Sequence, residues 1–151
     1  MVSQPCFRTI TAFTHLTERR SSAESGSANN CAANYRFTNK SAVARFFFKV
    51  SNQYNLPRTF QSASSQQFDL EILDQTGRVV AAWSDAKFFI QSLTTFTLEA
   101  GGSVTFTADM PLKDREGQQL NGTYRVRAFL TTSGPQPRVE AASQIAVALA
   151  P

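Results

Sequence analysis

The chain has 151 residues, 42% apolar and 17% charged, a length and balance that suit one globular domain able to bury a core without covalent staples. Its net charge of +4 is uneven: residues 1–58 hold 8 Lys and Arg against 2 Asp and Glu, and residues 59–151 hold 7 against 9. The body therefore lacks the basic field of a nucleic-acid binder, and no apolar run reaches the 18 or more residues of a membrane span.

Residues 1–34 are poor in Val, Ile and Leu, and "SSAESGSANNCAAN" has no hydrophobic period, so this segment is expected to be a disordered or loosely attached extension. No apolar run follows the start, so no secretory signal peptide is expected. Cys6 and Cys31 both lie in the extension. The remaining residues cannot form a disulfide among themselves, which fits a reducing, cytoplasmic setting.

The domain is expected over residues 35–151. "ARFFFKVSN" alternates Phe46, Phe48 and Val50 with Arg45, Phe47 and Lys49, the period of a half-buried strand. Leu56 to Phe60 reads as a short strand with Pro57 at its start, where a missing N–H does least harm. Phe68, Leu70 and Ile72 alternate with Asp69, Glu71 and Leu73. Asp74 to Gly77 suits a type I turn closing on a left-handed glycine, and Arg78 to Trp83 returns as the partner strand. Trp83 is expected as a packing anchor. Ser84-Asp85 should then break the strand, so that Phe88 and Phe89 re-enter the core or cap its end.

Leu93, Phe96 and Leu98 precede Gly101-Gly102, and Val104 and Phe106 follow. "PLKDREGQQLNG" is polar and reads as a loop. Tyr124, Val126 and Ala128 face one way and Arg125, Arg127 and Phe129 the other, and a last strand is expected near Ile145 to Leu149. Seven to nine short strands and no helical stripe predict an all-β fold, an immunoglobulin-like antiparallel β-sandwich, with a small barrel as runner-up. The 13 phenylalanines, each worth about 1.5–3 kcal/mol when buried, should dominate its core.

Catalytic chemistry finds little support. The only histidine, His15, lies in the extension, so triad and His-based metal chemistry lack a residue in the domain. Asp69 and Glu71 share a strand face but read as the solvated side of an amphipathic strand rather than an acid/base pair. "EAGGSVT" has glycines but no lysine, so it is no phosphate loop. Basic residues interleaved with Phe37, Phe46, Phe47 and Tyr54 read as solvated charge over a Phe core rather than a single-strand platform. No enzyme activity and no cofactor is expected.

One string carries a resemblance: "SASSQQFDLEILDQTGRVVAAWSDAKFFIQ", followed by "LEAGGSVTF" and "NGTYRVRAFL". Over roughly residues 43–131 the chain resembles the bacterial intracellular proteinase inhibitor family known as BsuPI. The matching residues are Gln67, Phe68, Asp69, Gly77, Val80, Ser84, Phe89, Gln91, Leu98, Gly101, Gly122 and Tyr124, with Trp83 close by and Asn52 ending the first strand. The chain departs from the pattern at Ala81, Ala100, Gly102 and Met110. The resemblance implies an intracellular inhibitor that binds serine proteinases non-covalently; the alternative is a non-inhibitory interaction module that binds another protein. A substrate-like inhibitor presents a rigid exposed loop. Lys113 and Arg115 in one loop, and Arg138 beside Pro135 and Pro137 in another, would suit a pocket bearing a carboxylate.

Overall fold

In the computed structural model, residues 8–14, 32–37, 43–133 and 139–149 are described. They hold ten strands: β1 (Arg8–Thr14), β2 (Ala32–Phe37), β3 (Val43–Ser51), β4 (Arg58–Ser62), β5 (Phe68–Leu73), β6 (Val79–Ala82), β7 (Thr94–Leu98), β8 (Ser103–Pro111), β9 (Gly122–Leu130) and β10 (Glu140–Leu149). One turn of 3-10 helix, Trp83–Ala86, follows β6. The fold is all-β, as the alternation and turn spacing predict.

The strands form a three-stranded sheet in the order β1-β3-β8, a five-stranded sheet β2-β10-β9-β5-β6, and a separate pair β4-β7. Neighbours are antiparallel except β2 and β10, which run parallel with Tyr35 opposite Val147. That pair departs from the purely antiparallel expectation. Arg8–Thr14, within the expected extension, runs along β3 from Arg8 opposite Val50 to Thr14 opposite Ala44. Ala32–Phe37 crosses the boundary expected at residue 34. "RTITAFT" is rich in β-branched residues, which suit a pleated edge; low Val/Leu content hid the strand.

The two larger sheets bury one cluster. Ala44, Phe46, Phe48 and Val50 of β3 meet Leu70 and Ile72 of β5, Val126 and Ala128 of β9, and Ile145 and Val147 of β10. Strand alternation produces this directly, because each contributing strand offers every second residue. Fully burying so many aliphatic and aromatic side chains, at about 1.5–3 kcal/mol each, is the main force holding the sheets together.

Aromatic rings link the layers. Phe60 of β4 stacks on Phe96 of β7 at 5.1 Å between centroids. Phe96 meets the edge of Phe106 of β8 at 5.9 Å, and Phe106 stacks on Phe68 of β5 at 4.8 Å. Phe68 stacks on Trp83 at 4.5 Å, and Trp83 meets Phe89 at 5.9 Å. Such pairs add roughly 0.5–1.5 kcal/mol each beyond area burial. The phenylalanine-rich composition thus becomes a continuous ring path from the β4-β7 pair to the segment after Trp83.

Turn chemistry closes the hairpins. Between β5 and β6, Asp74 Oδ1 accepts from the N–H groups of Thr76 and Arg78 at 2.9 and 3.0 Å. Gly77 sits at φ 85°, where a side chain costs energy but glycine does not. The expected turn is therefore present. The segment read as a plain loop, Leu112 to Asn121, contains the same device. Asp114 Oδ1 accepts from Glu116 and Gln118 N–H, and Gly117 sits at φ 84°. "DQTG" and "DREG" share an Asp-x-x-Gly spelling, which was the available sign of this second turn. Leu112 and Leu120 on either side of it are buried.

Candidate functional site

Asp69 departs most from its expected role. It is only 8% exposed, although strand alternation puts it on the face of Glu71. The Trp83–Ala86 turn folds over it. Ser84 donates to the Asp69 carboxylate twice, from Oγ at 2.5 Å and from its N–H at 3.2 Å, and the Leu70 N–H donates at 2.8 Å. A buried carboxylate is tolerated only when its oxygens are satisfied in this way. Beside it, Glu71 accepts from the Arg127 guanidinium across the β5-β9 pair. Neither carboxylate is an open acid or base, and Asp69 serves to pin the turn that carries Trp83.

Asp85 does more than end a strand. Its carboxylate accepts from the Ala82 N–H at 2.9 Å and pairs in bidentate fashion with Arg115 at 2.8 and 2.9 Å. The Arg115 N–H in turn donates to Val80 C=O at 2.9 Å. β6 is an edge strand of the five-stranded sheet. Its Val80 carbonyl and Ala82 amide are thus both occupied, which blunts an edge that would otherwise template pairing with another chain. The Arg115 hydrogen bond holds the Asp85 carboxyl below the usual carboxylate range, with backbone donation from Ala82 and the Arg115 charge adding to it.

The three basic loop residues singled out from sequence therefore stand differently. Lys113 is exposed and its backbone bridges to Gln119. Arg115 is engaged by Asp85 and Val80. Arg138 lies outside the described residues.

The residues of the family-like pattern are mostly architectural. Gly101, at φ 73°, turns the chain between β7 and β8. Asn52, 2% exposed, fixes that turn: its side-chain amide donates to the carbonyls of Leu56, Leu98 and Glu99 at 2.9, 3.0 and 3.1 Å, and its Oδ1 accepts from Tyr54 N–H at 3.1 Å. Gly122 starts β9 at φ 111°. The Tyr124 hydroxyl donates back to the Asn121 carbonyl at 3.1 Å, the tyrosine corner of sandwich folds. Phe68 and Trp83 stack as described, so Trp83 is a packing anchor.

The segment Lys87 to Leu93, between the 3-10 turn and β7, is different in kind. Phe89 packs on Trp83, as expected of a ring capping the core, but Phe88 is fully exposed, at 103%. That corrects the expectation that both rings re-enter the core or cap its end: Phe89 packs on Trp83, and an adjacent residue in extended chain points the other way. Ile90 and Leu93 are exposed as well, at 74% and 67%, and Gln91 is also exposed. The backbone is nevertheless held. Ile90 N–H donates to Ser65 Oγ at 2.9 Å and Ile90 C=O accepts from Ser65 N–H at 2.8 Å. Ser92 N–H closes a three-residue turn onto Ile90 C=O at 2.9 Å, and Thr94 Oγ1 donates to Ser64 C=O at 2.7 Å. Lys87 lies 4.6 Å over the Trp83 ring.

With this geometry in hand, residues 32–135 match the model of BsuPI, the intracellular proteinase inhibitor family. No curated protein matches the chain. Among solved structures, β-glucosidase from Listeria innocua is similar in two complexes. The gluconolactone complex is 12% identical with a TM-score of 0.41, covering 94% of this chain and 16% of that one. The glucose complex is 12% identical with a TM-score of 0.37, covering 95% and 17%. The chain thus spans about a sixth of the length of those enzymes.

Proposed function

The chain belongs to the BsuPI family of intracellular proteinase inhibitors, and on that premise we propose that it binds and inhibits serine proteinases non-covalently, inside the cell. The observation that carries this is the match over residues 32–135, which takes in the sandwich from β2 through β9. The proposed partner is a protein, and the proposed activity needs neither cofactor nor turnover. Inhibition by binding is strengthened by a preformed loop, because its ordering has already been met by folding. Small secreted inhibitors use disulfides for that rigidity; residues 32–151 hold no cysteine pair, and backbone anchors and ring packing fill the role.

The test is a proteinase panel against the purified full chain. The reading expects inhibition of subtilisin-like, chymotrypsin-like or trypsin-like enzymes at micromolar concentration or below. No inhibition of any of them sinks it.

A further inference from the structure

Lys87 to Leu93 places three exposed apolar side chains on one short, anchored segment. We infer that this segment is the loop that enters the proteinase cleft, with Phe88 as the side chain that fills the primary specificity pocket. The inference rests on the inhibitor reading and deepens it, because it assigns the loop and the class of enzyme.

Exposure is the first argument. Of the six large apolar side chains exposed among the described residues, Phe88, Ile90 and Leu93 fall within six positions of one another. Solvating a whole phenylalanine ring forgoes the burial that Phe46, Phe48, Phe60 and Phe68 obtain, and clustered exposure of this kind marks an interaction surface.

Rigidity is the second. Lys87 is extended, at φ −124° and ψ 149°. Ile90 is held to Ser65 through both backbone groups, and Phe89 is fastened to Trp83. The segment is thus tied down on the residues flanking Phe88, while Phe88 itself is left outward. A loop ordered before binding loses little entropy on docking.

Chemistry is the third. From Phe88 to Leu98 there is no charged residue, and the one cation of the segment, Lys87, lies over the Trp83 ring, so the loop offers little to a carboxylate-bearing pocket. It suits the apolar pocket of chymotrypsin-like or subtilisin-like enzymes. Among the basic alternatives, Arg115 is bound to Asp85, and Lys113 stands beside no exposed large apolar side chain of its own loop.

Size favours a cleft over a second copy of this chain. One aromatic ring buries roughly 150–250 Å², and two aliphatic side chains add less, short of the roughly 800 Å² per partner of a stable interface. An exposed loop seated in a concave cleft gains contact on both sides and along its backbone, which two such loops facing each other do not.

The experiment measures inhibition constants of the full chain and of Phe88→Ala, Phe88→Asp, Phe88→Arg, Lys113→Ala and Arg138→Ala against chymotrypsin-like, subtilisin-like and trypsin-like proteinases. Circular dichroism checks that each variant folds. Expected is inhibition of enzymes with apolar pockets, weakened about 30-fold or more by Phe88→Ala and by Phe88→Asp, the loss typical of an interface hot spot. Phe88→Arg should move inhibition toward the trypsin-like enzyme, while Lys113→Ala and Arg138→Ala leave it unchanged. Inhibition by the parent chain that the Phe88 variants do not alter overturns the loop assignment and leaves the inhibitor reading standing. Inhibition confined to trypsin-like enzymes, or self-association abolished by Phe88→Asp without proteinase binding, also overturns it. A parent chain that inhibits nothing removes the inhibitor reading and this inference together.

Discussion

Ser84 donates both its hydroxyl and its backbone N–H to the buried carboxylate of Asp69, 15 residues earlier in the chain. The contact joins the first residues of β5 to the turn after β6, and so holds Trp83 against Phe68. Asp69→Ala leaves three donors without their acceptor and is expected to cost about 2–3 kcal/mol. Asp69→Asn keeps one acceptor oxygen and should cost less. Urea unfolding monitored by circular dichroism checks this; equal midpoints for the two variants would remove the hydrogen-bond explanation.

Asn52 offers a sharper comparison. Asn52→Ala removes the donors to three carbonyls, at an expected cost of about 2–3 kcal/mol. Asn52→Asp is nearly the same shape but sets a carboxylate against those carbonyl oxygens. It should be the worse of the two near neutral pH and recover toward acid as the carboxyl protonates. A midpoint for Asn52→Asp at or above that of Asn52→Ala at neutral pH contradicts the geometry.

The Asp85–Arg115 pair is expected to matter little for stability, since both side chains stay open to solvent, Arg115 at 54% and Asp85 at 36%, and such pairs contribute about 1 kcal/mol or less. Its pH dependence has a defined sign. Asp85 is depressed by Arg115 in the folded state, so the pair's contribution is complete above the ordinary Asp range and is lost as pH falls through the lower, folded value. The difference in unfolding midpoint between the parent and Arg115→Ala should therefore shrink in acid and also in high salt. A difference that grows in acid reverses the assignment.

Freeing the β6 edge has a second expected effect. Arg115→Ala releases the bidentate grip on Asp85 that helps close an edge strand, and Asp85→Ala also exposes the Ala82 N–H. Both should aggregate more readily than the parent on mild heating, Asp85→Ala more so, as light scattering would report. Unchanged scattering for both would mean that the edge is guarded by something other than this clamp.

Gly77 tests backbone strain separately from packing. A Cβ there meets nothing within 4 Å, yet φ is +85°. Gly77→Ala should cost about 1 kcal/mol, whereas Gly77→Asn should be milder because Asn tolerates the left-handed region. Equal losses for the two would point to a cause other than φ.

Much of the sandwich could be read from alternation, because a strand's period decides which residues meet the opposite sheet. Phe46, Phe48 and Val50 are core for that reason, as are Val126 and Ala128. Alternation fails where burial comes from outside the sheet. Asp69 has the right parity for solvent and is covered by a turn 15 residues away; no local pattern encodes that cover. Phe88 and Phe89 are chemically identical, and only the position of Trp83 decides which one packs. Arg115 looked like an available basic side chain because its partner, Asp85, is 30 residues distant. β1 is hard to read from sequence because threonine-rich edge strands carry little hydrophobic signal, and β2 because its parallel partner is the last strand.

The chain's single tryptophan stands at the junction of the ring path, between Phe68 in the core and Phe89 at the base of the exposed segment. That position makes the indole a built-in optical gauge. Lys87 lies over the indole and Phe89 against it, so a molecule docking on the neighbouring ring is expected to change its emission, without a label.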